Sequence, residues 1–459
     1  MVKWSKKYGP IFTVWMPKPS IVIADMELLK IALKDRAECF SGRPQSFLYG
    51  IFTGHKPNGD GIVLCQGEKW LAQRRFALKT FRNFGMGGNR METLINFHTN
   101  RFMKQLADCI PPNRFATGVV LDIHYQLAFC LGNIINDLIM GRHYEYGDAE
   151  FAKFRELIDN TLKGVASFSM FFIDSYPWLR FICPRYYSYC RDGFEIQKFF
   201  LDEIDRHETT MDYNKEPENF IDAYLRDMME TGDENLSKLT LALNSGDLWT
   251  GGLETAVTTI YWGIIYLIHY PEIQRQLQQE IDLVLDTSPV STAKRNEMPY
   301  MRATLDELQR LANILPWHIP HEVNEEVILA GFKIPKGTTI MPQIGAIFFD
   351  PEIFPDPNLF EPRRFLDQEG RYVRSEYLAP FGLGKRSCIG EGLAKMELFI
   401  IFTSLLQNFS FEAEDREHKP SLERNPGMTS VPTRFKCRIR RRRAELVTSE
   451  HESSKDQAE

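Results

Sequence analysis

A chain of 459 residues, 43% hydrophobic and 25% charged, is long enough to bury a substantial core and too apolar to remain unfolded. Its 55 Lys and Arg against 61 Asp and Glu leave a formal charge of -6, which argues against nucleic acid as a partner. Eight scattered cysteines without a CxxC pair argue against a disulfide scaffold and for free thiols in a reducing compartment.

The opening "MVKWSKKYGP" is polar. It has neither the apolar run of a secretory signal nor a segment long enough to cross a bilayer. Residues 9 to 25 alternate and are rich in β-branched side chains, which predicts a short hairpin turning at "PKP". From Lys69 to about Glu230 the patterns are helical. Within that region the aromatic stretch Phe168 to Pro184 reads either as a patch resting on a membrane or as buried helix and loop.

Asn235 to Tyr270 reads as one helix of roughly 30 to 35 residues, about 50 Å long. Glycines and threonines in its middle break any heptad, so a central strut is expected rather than a coiled coil. Pro271 opens a second, amphipathic helix. Short strand-like pieces follow Asp306, and Asp350 to Pro380 is irregular and proline-rich. After Cys388 the chain reads as an amphipathic helix, then as strand from Phe409 to Phe435. The expectation is one mainly α domain (α+β, with a minor β portion) over residues 1 to 440. A charged, disordered tail is expected from 441 to 459.

Three constellations carry chemistry. In "FGLGKRSCIG", Gly382, Gly384 and Gly390 allow a tight path around Cys388, and turned amides plus a following helix N-terminus are expected to lower its pKa. No histidine or second cysteine lies nearby to make it a nucleophile or a zinc ligand, so a buried cysteine and a ligand to a macrocycle-bound metal stay open. In "DLWTGGLETAVTTI", two helical glycines cost about 1 kcal/mol each. They either pack helices or make room for a flat ligand beside Glu254 and Thr255. Thr255 either relays protons or bonds back to its own helix. In "DELQR", Glu307 and Arg310 share one helical face, and "FEPRRFL" adds Arg364 to form a charge network.

These residues resemble the cytochrome P-450 family of haem-thiolate monooxygenases, in particular the animal microsomal type that handles drugs, fatty acids and steroids. The signature F-x-x-G-x-R-x-C-x-G matches Phe381 to Gly390, and the resemblance spans about residues 8 to 440. It implies a helical bundle around haem b, with Cys388 as axial thiolate and metal ligand and Phe381 packed beside it. It further implies Trp70, Arg74, Arg386 and His321 at the haem propionates. "GGLETA" then supplies Gly252 and the acid–alcohol pair Glu254 and Thr255. Glu307, Arg310 and Arg364 make the structural triad.

Departures from the family pattern are Ala256 for a common threonine, Gly251 for alanine and Arg363 for glutamate. The chain also opens where a membrane helix and proline-rich hinge of relatives would already have ended. The implied reaction inserts one atom of O₂ into an apolar organic substrate, with electrons from NADPH through a flavoprotein reductase and cytochrome b5 as a further donor. The region after Phe40 up to Gly61, Phe168 to Lys198 and Leu315 to Ile319, with Trp317, are expected to line the substrate pocket. The expected location is the cytosolic face of the endoplasmic reticulum or the cytoplasm, as a monomer. A haem-thiolate isomerase or dehydratase and a non-catalytic haem protein are the alternatives, and both fit the retained Glu254 and Thr255 poorly.

Overall fold

The computed structural model describes residues 2 to 447, apart from Met16, Pro57, Arg416, Pro426 and Met428. After helix α1 (Val2–Tyr8), the expected hairpin forms from β1 (Ile11–Trp15) and β2 (Pro19–Ile23), with Ile11 opposite Ile23. Asp25 then caps α2 (Met26–Lys30) by accepting from the Leu28 amide at 2.8 Å. A π turn at Ile31–Asp35 follows and carries Leu33.

The helical body runs through α3 (Phe47–Thr53), α4 (Gly67–Asn83), α5 (Asn89–Asp108), α6 (His124–Met140) and α7 (Ala149–Val165). It continues with α8 (Phe168–Ser175), α9 (Pro184–Thr210) and α10 (Phe220–Thr231). Short strand β3 (Val119–Leu121) precedes α6. The predicted strut is α11 (Lys238–His269), 32 residues long and capped by Ser237 accepting from Thr240 at 3.1 Å. Its second half is buried without interruption from Ala256 to Ile268, so it runs through the core rather than over it. Indole and phenol groups there keep their polar atoms satisfied: Trp262 Nε1 donates to Ser430 O at 2.9 Å, and Tyr261 OH to Asp122 at 2.9 Å.

Helices α12 (Pro271–Val284) and α13 (Pro299–Ala312) pack beside it, each with proline in its first turn. The strand-like pieces become β4 (His321–Glu322), β5 (Val327–Leu329), β6 (Phe332–Ile334) and β7 (Thr339–Pro342). Strand β7 lies parallel to β2 and antiparallel to β4, which gives the sheet order β1-β2-β7-β4. After α14 (Ile344–Phe348) comes the irregular stretch, then α15 (Glu391–Asn408). The sequence reads α15 as amphipathic, but every residue from Met396 to Asn408 is buried, because helices α5, α11, α12 and α13 pack around it. The C-terminal strands are β8 (Phe409–Ala413), β9 (Arg424–Asn425), β10 (Val431–Pro432) and β11 (Cys437–Arg441). Strand β11 pairs with both β3 and β8.

The stretch read as tail from residue 441 stays packed as far as Val447. Arg442 donates to Leu406 O at 2.9 Å, and Asn408 exchanges hydrogen bonds with Val447 at 2.8 and 3.1 Å. Arg442 and Arg443 also pair with Asp282 of α12, which gives these charges partners that a sequence pattern does not reveal. Residues 448 to 459 lie outside the described residues.

The irregular stretch is pinned by charge. Glu307 and Arg310 on α13 are both fully buried and form two bonds at 2.7 and 2.8 Å. Arg310 spends its remaining donors on the carbonyls of Phe348, Pro357 and Leu359. Glu307 also accepts from the Glu361 amide at 2.9 Å and from Arg364 at 3.2 Å. A surface pair of this spacing contributes little, but removing one partner of a buried pair strands the other in low dielectric. Glu307→Ala is therefore expected to cost about 3–5 kcal/mol, measured as a lowered urea midpoint.

Candidate functional site

Between the middle of α11 and the loop entering α15 lies a cavity of about 320 Å³. Cys388 sits on one wall, and Gly251, Gly252 and Thr255 of α11 sit on the other. The loop is held close to the N-terminal part of the chain. Gly384 has φ of 70°, and a Cβ there would fall 1.6 Å from Leu33 O in the π turn, so only glycine fits. The Cys388 amide donates to Phe381 O at 2.8 Å, which closes the loop around the thiol, and the Phe381 ring lines the cavity.

The sulfur is surrounded by protein, and its exposure is toward the cavity. Burial pushes its pKa up, with the Gly390 amide hydrogen bond opposing. This overturns the expectation that the loop and helix terminus alone would yield a thiolate: desolvation outweighs one amide and a helix end. A bound metal ion is what would hold this thiol deprotonated.

A cluster of guanidiniums lines the same cavity. Arg386 donates to Ser41 O at 2.9 Å and Cys65 O at 2.7 Å and stacks 3.7 Å from the centre of the Trp70 ring. Arg74 donates to Ser387 O at 2.7 Å. Arg43, which the sequence reading missed, donates to Val63, Ile319 and Pro320 carbonyls at 2.8–3.1 Å. Nothing local marks Arg43. Its value comes from carbonyls some 280 residues away that folding brings to it.

No carboxylate neutralises these three among the described residues of the wall. Burial, then Arg43 and Arg74, lowers the Arg386 pKa to about 8, and burial with Arg74 lowers Arg43 to about 10. Arg386 Nη1 is buried with no protein partner. The acids on the wall, Asp247 and Glu397, are themselves pushed upward by burial, Asp247 to about 6. Asp247 already accepts from the Ile62 and Val63 amides, both at 2.9 Å. An apolar cavity with a thiol on one wall and unneutralised arginines at its rim fits a flat metal macrocycle carrying two carboxylates, as haem does.

His321, expected at the same group, also lines the cavity. Its Nδ1–H donates to Phe40 O at 2.7 Å, and burial and Arg43 lower its pKa to about 3. It is therefore neutral, with Nε2 unprotonated.

On α11 the two glycines divide their work. A Cβ on Gly252 would strike Ile135 Cδ1 at 2.4 Å, so Gly252 lets α6 approach, whereas a Cβ on Gly251 meets nothing within 4 Å. Thr255 faces the cavity and bonds back to Gly251 O at 2.7 Å. Glu254 does not reach the cavity. It turns toward α7, where it faces Asp159 and lies 4.0 Å from Arg155. Burial, then the Asp159 charge, raises its pKa to about 7 against the pull of Arg155.

The apolar lining differs from the segments expected. Leu315 and Ile319 line the cavity, but no residue from 168 to 198 does, and neither does Trp317. Part of the apolar wall comes instead from α6 and α11, with Ile135, Ile139 and Leu248, and part from the Cys388 loop and α15, with Leu383, Ile389 and Leu393.

The cytochrome P450 family model matches residues 1–439. The chain belongs to the cytochrome P450 family. It is 38% identical over 443 residues to a 3-ketosteroid oxygenase of Caenorhabditis elegans, an alignment covering 95% of this chain and 75% of that protein. It is 34% identical to Cytochrome P450 2C70 of Rattus norvegicus, covering 95% and 88%. It is 33% identical to Cytochrome P450 2B4 of Oryctolagus cuniculus, covering 95% and 87%. This cytochrome P450 has the mainly α fold of the family and is a haem-thiolate monooxygenase of the animal microsomal type. Its cofactor is haem, and its electrons come from NADPH through a cytochrome P450 reductase.

Replacing Arg386 by Leu removes a cavity-wall charge whose Nη1 has no protein partner and which would be available to the carboxylates of bound haem. A charged hydrogen bond contributes about 1.5–3 kcal/mol, so haem transfer to apomyoglobin is expected to become about tenfold easier or more.

Proposed function

We propose that this cytochrome P450 hydroxylates a flat, apolar substrate of the steroid class held between α11 and the Cys388 loop. One observation carries the reading: the wall formed by α6 and α11 is apolar, with Asp247 as a buried polar group at its edge. The 3-ketosteroid oxygenase relative favours steroids over other apolar compounds. The reaction is R–H + O₂ + two electrons + two protons giving R–OH and water.

Bound haem would supply dioxygen activation, and the Cys388 thiolate would hold its metal and donate electron density to it. Trp70, Arg74 and Arg386 are proposed to hold its carboxylates, with His321 joining them by taking up a proton at Nε2 when a carboxylate arrives, and Phe381 to shield the sulfur. Thr255 holds a proton at Oγ1 on the cavity side, where its hydroxyl now donates to Gly251 O. Glu254 is proposed to take up protons on the α7 side and to pass them to Thr255 through intervening water, while Gly252 lets α6 pack closely against α11. Residues 1 to 440 act as one catalytic unit.

The remaining proposals concern location and partners. Phe168, Trp178 and Ile182 are 79%, 64% and 74% exposed, a cluster suited to resting on the cytosolic face of the endoplasmic reticulum. No helix among the described residues is long and apolar enough to cross a membrane. The enzyme works as a monomer, with cytochrome b5 as a second electron donor.

Steroid binding is read from the Soret shift on titrating the ferric protein with 3-ketosteroids. Absence of any shift, with shifts from unrelated apolar compounds, rejects the class. Thr255→Ala is expected to keep NADPH oxidation but lower product per NADPH several-fold, checked by product and peroxide analysis. Glu254 donates while protonated, so product per NADPH is expected to fall as pH rises through about 7. Glu254→Gln should flatten that limb of the pH profile.

A further inference from the structure

Away from the haem cavity, two imidazoles bracket one carboxylate. Asp137 lies in the last turn of α6, His98 in the middle of α5, and His143 just past the Gly141 cap of α6. His98 Nε2 is 2.6 Å from one Asp137 oxygen, and His143 Nδ1 is 3.2 Å from the other. All three ligand atoms lie within 4.8 Å of one another.

We propose that His98, Asp137 and His143 form a binding site for a borderline divalent cation of the Zn²⁺ class. Two imidazoles and one carboxylate are a donor set that suits zinc. At zinc–ligand distances of about 2.0–2.1 Å, tetrahedral donors stand about 3.3 Å apart; the His143–Asp137 separation of 3.2 Å is close to that value and the His98–Asp137 separation of 2.6 Å falls short of it. Small rotations would open the His98–Asp137 contact and admit the ion, with water completing the shell at exposed His143. The rings are already held: the Phe97 ring packs edgewise on both, and the His98 and His143 planes cross at 78° with centroids 5.3 Å apart.

The electrostatics point the same way. A carboxylate in the last turn of a helix faces the negative end of its dipole, an arrangement that a cation relieves. Asp137 nevertheless stays ionised, held down to about 2 with His143 and His98 bonding to it against burial, and burial keeps His98 neutral. Arg101, whose charge acts on His98, is engaged by Glu145 at 2.5 Å and lies over the Phe97 ring. With Arg101 engaged by Glu145, the Asp137 carboxylate is left to attract a cation. A bound ion staples α5 to the end of α6, the helix whose Ile135, Leu138 and Ile139 form part of the haem cavity wall.

The test uses holoenzyme treated with chelator and desalted, titrated with ZnCl₂ by calorimetry and followed by thermal unfolding. One Zn²⁺ per chain is expected, with a raised unfolding temperature. His143→Ala and Asp137→Asn should each weaken binding more than about tenfold, the lower bound for losing even an outer-shell partner. Cys109→Ser, at an exposed thiol elsewhere, should leave binding unchanged, and His143→Cys should restore it. Binding that survives unchanged in both ligand variants, or no uptake by the wild-type protein, overturns the proposal.

Discussion

The buried pair Glu307–Arg310 is the constraint on which the rest of the site depends. Two charges taken out of water need every donor and lone pair satisfied, and here the partners are the carbonyls of Phe348, Pro357 and Leu359 and the amide of Glu361. A helix thereby fixes an irregular stretch that has no ladder of its own. That stretch leads into the Cys388 loop, whose place is finally set by the contact of Gly384 with Leu33. A thiol can then stand at one height in the cavity rather than wander.

The haem cavity is built on the opposite principle. Arg43, Arg74 and Arg386 are anchored by backbone carbonyls, not by acids, so their positive charge remains available to a ligand. Carbonyl anchoring fixes each guanidinium in space without cancelling it. Burial and mutual repulsion make that arrangement unfavourable until a dianion arrives, which ties the stability of this region to cofactor loading.

Opposite the thiol, one helix separates two environments. Thr255 looks into the cavity, and Glu254, its neighbour, looks toward Arg155 and Asp159. Adjacent residues on an α-helix point about 100° apart, so a proton donor can be buried with other charges while the hydroxyl it serves meets the substrate side. A carboxyl raised to about 7 by its surroundings can both hold and release a proton near neutral pH.

The sequence by itself determined the class of the protein. The glycine-flanked Cys388, the paired glycines before Glu254 and Thr255, and the Glu307–Arg310 spacing are local patterns, legible because backbone and helix geometry are local. The long α11, the N-terminal hairpin and the prolines opening α12 and α13 followed from the same short-range rules. Tertiary structure alone decided what depends on distant neighbours. Arg43 joins the cavity only because Ile319 and Pro320 arrive beside it, and α15 is buried on all sides from Met396 onward only because four helices surround it. Glu254 turns from the cavity, and residues 168 to 198 leave it, because packing sets which face of an element meets which space. Desolvation, which raises Cys388 and lowers Arg386, belongs to the folded interior and has no counterpart in the order of the residues.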